Sequence, residues 1–167
     1  PAQKRPERRR QMDIAFLQAF ALGVSETGTI TAADLSALRD HQASCERPGE
    51  DLEAAGALLA IDCLARDKHP DWSPLLIETL VDILVWDQRP TGVISAAAAD
   101  WLLSRVTLDS AGLASGAHRA LLIALVREAH ECDPRLAAAA FGHRVDGPQR
   151  APVARTLGWL DASGLQG

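Results

Sequence analysis

Thr27-Gly28-Thr29-Ile30-Thr31-Ala32-Ala33 returns 64 residues later as Thr91-Gly92-Val93-Ile94-Ser95-Ala96-Ala97. The segments before the two copies align as well, with Phe16 on Leu80, Leu17 on Val81 and Phe20 on Leu84. Each copy reads as helix, glycine turn, apolar isoleucine, capping hydroxyl and second helix, because Gly ends helices readily while Ser and Thr start them. A repeat of this length marks one supersecondary unit used twice. Two such hairpins side by side predict a pseudo-symmetric helical core.

Composition points the same way. Of the 167 residues, 30 are Ala and 23 are Leu, whereas Tyr is absent and Phe occurs 3 times. Strands favour β-branched and aromatic residues, so this balance favours helices. The reading is all-α, a single-domain bundle of about seven helices built on two pseudo-repeated helix-turn-helix hairpins. The spacing predicts helices over 12–22, stopping at Gly23, over 31–42 with Thr31 and Asp34 as a capping box, and over 50–66. In the third of these, Asp62 and Arg66 stand four apart and predict an ion pair, with Cys63 on the apolar side. A fourth helix is expected from a Ser73 cap and Pro74 to about Asp87, its core face formed by Leu76, Leu80, Ile83 and Leu84. The last three are expected over 96–106, 115–132 and 134–142. Residues 1–11 read as a basic arm, 12–142 as the helical domain and 143–167 as a Gly/Pro-containing tail with a short helix around Val153–Leu160.

The net charge of -5 averages two unlike parts. Lys4, Arg5, Arg8, Arg9 and Arg10 face only Glu7 in the arm, leaving 12 basic and 21 acidic residues elsewhere. An acidic body repels phosphate backbones, so nucleic acid is not an expected partner, and the arm offers at most a weak contact with an anionic surface. Cys45, Cys63 and Cys132 are odd in number and widely spaced, which argues for reduced, buried thiols and a cytoplasmic location. No apolar run is long enough for a membrane span.

Candidate chemistry is sparse. The two glycine turns resemble calcium loops in outline, but each offers a single carboxylate among its oxygen positions, Asp34 in one and Asp87 in the other. Glu78 and Asp82, four residues apart on the fourth helix, could share one metal ion, with Asp71, Asp87 and Asp100 approaching from neighbouring turns; the competing reading is a solvated helix face. His118 lies on an apolar face and reads as a satisfied core histidine. His130-Glu131-Cys132, taken as helical, would point in diverging directions and form no catalytic pair. Nucleotide-binding and nucleophile-elbow motifs are lacking. Accordingly, no catalytic residue and no cofactor are expected, with a divalent metal at Glu78 and Asp82 as the alternative.

Gly28-Thr29-Ile30-Thr31 with Asp34, and Gly92-Val93-Ile94-Ser95, resemble the turns of the TerB-like, tellurite-resistance-type helical superfamily, of form Asp-Gly-x-Ile/Val-Ser/Thr-x-x-Glu. The likeness covers about residues 12–142 and extends to Glu78, Asp82 and Trp101-Leu102. It implies an uncharacterised bacterial member and a role in stress response. Thr27, Thr91 and Ala98 stand where that pattern has acids, so any metal use by the family does not transfer. The expected function is a non-enzymatic interaction or scaffold module that binds a protein partner or forms a homodimer through the fourth-helix region. Trp72 and Trp86, expected to be partly exposed, are its contact candidates.

Overall fold

The computed structural model describes residues 13–45 and 52–142, so the basic arm, the turn around Pro48-Gly49 and the tail lie outside the described residues. Seven α-helices form there: α1 (Ile14–Thr27), α2 (Ala32–Ser44), α3 (Leu52–Leu64), α4 (Trp72–Val81), α5 (Ala96–Leu103), α6 (Gly116–Glu128) and α7 (Pro134–Phe141). A π-helical turn, Asp82–Trp86, continues α4. The fold is predominantly all-α, as the composition implies.

Four two-residue strands give the repeat its geometry. β1 (Thr29–Ile30) pairs in parallel with β2 (Asp67–Lys68), and β3 (Val93–Ile94) with β4 (Glu131–Cys132). Every residue of the second pair lies 64 positions after its counterpart in the first, and α3 and α6 begin and end 64 apart. The junctions match bond for bond. Gly28 O accepts the N–H groups of Arg66 and Asp67, and Gly92 O accepts those of His130 and Glu131. Ile30 O then accepts from His69 N–H, as Ile94 O does from Asp133 N–H. The repeat is therefore larger than the two hairpins visible in the sequence. Its unit is helix, strand, helix, helix, strand, helix, with α4 and its π turn closing the first copy and opening the second.

Local signals explain most helix ends. Asp13 accepts the Ala15 N–H at the start of α1. Thr31 and Asp34 form the expected capping box at α2, and Ser95 and Asp133 cap α5 and α7. Several boundaries depart from the sequence reading, α5 for example ending at Leu103 and not at 106. α1 runs through Gly23 and ends at Gly28, whose φ of 71° is the left-handed conformation that terminates a helix. α4 starts at Trp72, so Ser73 and Pro74 sit inside its first turn, where a missing N–H costs nothing. α6 stops at Glu128 because pairing with β3 draws residues 131–132 into a strand, which removes His130-Glu131-Cys132 from any helix.

The core lies between these layers, with α1 packed on α3, α4 on α6 and α6 on α7. Leu17, Ile30, Leu58, Leu76, Leu80 and Leu84 are all buried there. At its centre is Trp72, fully buried, with Phe20 edge-on at 6.0 Å between ring centroids. The expectation that Trp72 forms an exposed contact is thus corrected. Its indole N–H donates to Asp62 Oδ1 at 2.8 Å, and Lys68 Nζ donates to the same oxygen at 2.7 Å. His118 Nε2 approaches Asp62 Oδ2 at 3.5 Å, while its Nδ1 accepts the Thr107 N–H at 2.9 Å. The predicted Asp62–Arg66 pair does not form: Arg66 is exposed, whereas Asp62 faces inward toward elements distant in sequence. Cys63 is exposed too, and Cys45 and Cys132 are half-buried, so the thiols are not the buried apolar groups expected.

Burial alone would raise the Asp62 carboxyl, but hydrogen bonds from His118, Lys68 and Trp72 outweigh it and hold the group at about 2. A carboxyl depressed below its unfolded value stabilises the fold above pH ~4 and loses that contribution as pH falls toward about 2, a difference of up to about 2 kcal/mol. Asp62→Asn should lower stability by about 2–3 kcal/mol at neutral pH and flatten the acid limb between those values, measured by urea unfolding across a pH series.

Gly92 has φ of 81°, and a Cβ there would meet His130 Cδ2 at 2.6 Å; at Gly28 the nearest atom would be Arg66 Cδ at 3.9 Å. Gly28→Ala should therefore cost the backbone penalty of about 1–2 kcal/mol, and Gly92→Ala clearly more. Adding His130→Ala should recover part of the excess at Gly92 and nothing at Gly28, as read from the denaturation midpoints.

Candidate functional site

Glu78 and Asp82 border a groove of about 410 Å³ between α2 and α4. Arg39 and Gln42 come from α2, Cys45 from the residue that follows it, and Leu75, Glu78, Thr79 and Asp82 from α4 and its π turn. Spacings of three and four residues place each set on one helix face, so the groove is the seam where two faces meet. Its floor is fixed by a short chain of hydrogen bonds: Gln42 Nε2 donates to Thr79 Oγ1 at 2.7 Å, and the Thr79 hydroxyl donates to Leu75 O at 2.8 Å. Thr79 is buried, whereas Glu78 and Asp82 are exposed at the rim.

Partial burial raises the Asp82 carboxyl above its ordinary range, and the neighbouring Glu78 charge raises it further. Asp82 is also where the α-helical ladder gives way to the π turn, whose Asp87 N–H reaches back to Asp82 O at 2.9 Å. Such turns are frequent at functional sites. The wall on the α2 side is tied to the start of the chain's first helix. Asp13 N–H donates to His41 Nε2 at 3.0 Å, Phe16 stacks on the His41 ring at 4.2 Å, and Cys45 Sγ lies 4.0 Å from the same nitrogen.

The further acids do not join Glu78 and Asp82. Asp71 lies beside His69, and Asp100 pairs with Arg135, which also holds Asp133. Among the described residues, no three His, Cys, Asp or Glu side chains come together in a way that could enclose a metal ion. In the first glycine turn, the carboxylate that a calcium loop would need is occupied locally, since Asp34 Oδ2 accepts both the N–H and the hydroxyl of Thr31 at 2.7 Å. Trp86 is 38% exposed and meets His130 edge-on at 5.8 Å, outside the groove lining. Cys132 is no nucleophile of low pKa: burial pushes its thiol up, and Asp133 adds to that.

The most elaborate polar cluster, Asp62 with Lys68, Trp72 and His118, was not legible as a unit. An acid inside an otherwise apolar helix, flanked by Ile61 and Cys63, was the signal available. His118 Nδ1 accepts the Thr107 N–H, whereas its buried Nε2 makes no well-formed hydrogen bond and lies 3.5 Å from Asp62 Oδ2. The cluster joins α3, β2, α4 and α6, with Asp62, Trp72 and His118 buried and Lys68 partly exposed.

A second groove, of about 360 Å³, lies between α5 and α7 and includes Leu103, Leu108, Leu113, Ala139 and Gly142. Leu103, Ala139 and Gly142 are the 64-residue counterparts of Arg39, Leu75 and Glu78. The repeat has therefore produced two equivalent seams of different chemistry: Arg39, Glu78 and Asp82 line the first, whereas the second is lined mainly by Leu, Ala and Gly with Arg135 as its charged residue. Neither a protein-family model, nor a curated protein, nor a solved structure matches the chain.

Proposed function

We propose that the protein is a non-enzymatic interaction module of the TerB-like type, acting in the cytoplasm, whose α2–α4 groove receives a basic segment of a protein partner. The observation that carries this reading is the Glu78–Asp82 pair on the rim of a groove with a fixed floor. Two carboxylates four residues apart repel each other, which adds to the larger effect of partial burial in raising the Asp82 carboxyl, and a guanidinium or ammonium group placed between them relieves that repulsion. Leu75 supplies apolar surface for the stem of a Lys or Arg side chain, and Gln42 adds a carboxamide. Arg39 on the opposite wall repels a cation and so directs it toward the α4 side.

A divalent metal at Glu78 and Asp82 is the second reading, favoured by the same carboxylate pair. It would need further oxygen ligands from water or a partner, because hard cations take six or more. Trp86 remains the exposed aromatic candidate for a wider contact or for self-association through the fourth-helix region.

A fluorescein-labelled nona-arginine peptide separates the readings when titrated at low ionic strength. Peptide binding should weaken about tenfold in the Glu78→Gln/Asp82→Asn variant and decline with added salt. Equal binding by parent and variant would remove the groove from consideration. A rise in thermal midpoint with Ca²⁺, Mg²⁺, Mn²⁺ or Zn²⁺ that is lost in the same variant would favour the metal reading instead.

A further inference from the structure

The two ring nitrogens of the buried His118 face opposite demands. Nδ1 accepts the Thr107 N–H at 2.9 Å, so the proton of the neutral ring sits on Nε2, which lies 3.5 Å from Asp62 Oδ2. An imidazolium carries a proton on both nitrogens. Its Nε2 then forms an ion pair with Asp62, whereas at Nδ1 two donors meet and the bond to Thr107 is lost. Asp62, held at about 2, stays ionised throughout the range in which histidines take up a proton, and its other oxygen is occupied by Lys68 and Trp72. Other charged groups on the elements around α6 lie elsewhere: Glu78 and Asp82 line the α2–α4 groove, Arg135 of α7 binds Asp100 and Asp133, and Arg119 of α6 itself donates to Ala140 O.

Thr107 begins the loop between α5 and α6. Within it Asp109 Oδ1 accepts the N–H groups of Ala111 and Leu113, and Leu108 bridges Ala114, whose own N–H donates to Ala139 O on α7 at 2.9 Å. The loop is thus tied to His118 at one end and to α7 at the other, and between the ties Leu108, Ala111, Gly112 and Leu113 form one wall of the α5–α7 groove. The first copy of the repeat has no such tie, because 64 residues earlier Ala43 stands for Thr107 and the buried Ala54 for His118. The frame is built there without the histidine.

We propose that His118 is a proton-operated latch on the α5–α7 groove: neutral, it fastens Thr107 and holds the α5–α6 loop in place, and protonated, it binds Asp62 instead, frees the Thr107 N–H and lets that wall of the groove move out about Ala114. Thr107 is exposed, so its N–H passes to water on release and no buried donor is left unpaired. The sign follows from the acceptor role of Nδ1: the loop opens on acidification and closes as pH rises.

The experiment follows amide exchange and nitrogen-15 NMR signals of the full chain from about pH 8 to about pH 5, the interval in which histidines titrate. Thr107 protection, corrected for the intrinsic pH dependence of exchange, should fall at least about fivefold in step with the His118 ring signals, and the amides from Leu108 to Leu113 should shift with it. Ala114 should stay protected throughout, since its bond to Ala139 O is untouched. His118→Asn offers a neutral acceptor in place of Nδ1 and should keep Thr107 protected at both ends of the range. A His118 ring that does not titrate there, a Thr107 amide that ignores the titration, or loss of Ala114 protection together with that of Thr107 would each overturn the inference in the parent chain alone. A pH response of Thr107 that survives in His118→Asn would overturn it as well.

Discussion

A carboxylate placed inside an apolar core must be met by donors, and the position of Asp62 imposes that demand on four elements at once. Trp72 and Lys68 reach one oxygen from the start of α4 and from β2, and His118 approaches the other from α6. A buried acid without those partners would cost several kcal/mol, so the elements that carry them cannot drift apart independently. Trp72 is thereby held with its ring in the core and its N–H on Asp62, and Phe20 of α1 packs on its edge. The first and second copies of the repeat are joined through this one group.

Around that centre the repeat supplies a frame and lets its surfaces diverge. Each copy places a left-handed glycine before a two-residue strand, and the glycine carbonyl takes two N–H groups from the segment after the third helix. The backbone junction is the same in both copies, but the side chains over it differ: Arg66 lies across Gly28 and His130 across Gly92. The inter-helix seams differ likewise, carrying Arg39 and Glu78 in the first copy and Leu103 and Gly142 in the second. Backbone hydrogen bonds constrain conformation without constraining side-chain chemistry, so a duplicated fold can hold one groove rimmed by acids and one in which Arg135 stands among Leu, Ala and Gly.

Elements defined by nearby residues were legible in the sequence. Thr31 with Asp34, Ser95 and Asp133-Pro134 mark helix starts because a capping side chain and the N–H it accepts lie within three residues of each other. The core face of α4 followed from spacing alone. Glu78 and Asp82 were recognisable as a pair for the same reason, since four residues is one helical turn. Asp62 was misassigned because a local partner, Arg66, satisfied the spacing rule, while its true partners stand six, ten and 56 residues away. Trp72 was misread because it stands just before the Ser73 cap and so reads as lying outside the helix, and only packing against Phe20 and Asp62 draws the ring inward.

By itself, then, the sequence determined the helical class, the two glycine turns and their common 64-residue offset, and the acidic pair on the fourth helix. These follow from composition and from interactions spanning a single turn. Only the tertiary structure decided that each turn pairs in parallel with a strand 38 residues further on, that α4 belongs to both copies, and that Glu78 and Asp82 face Arg39 and Gln42 across a seam. Those are encounters between surfaces, and which surfaces meet depends on how all the helices bury their apolar faces together, a condition that no single segment encodes.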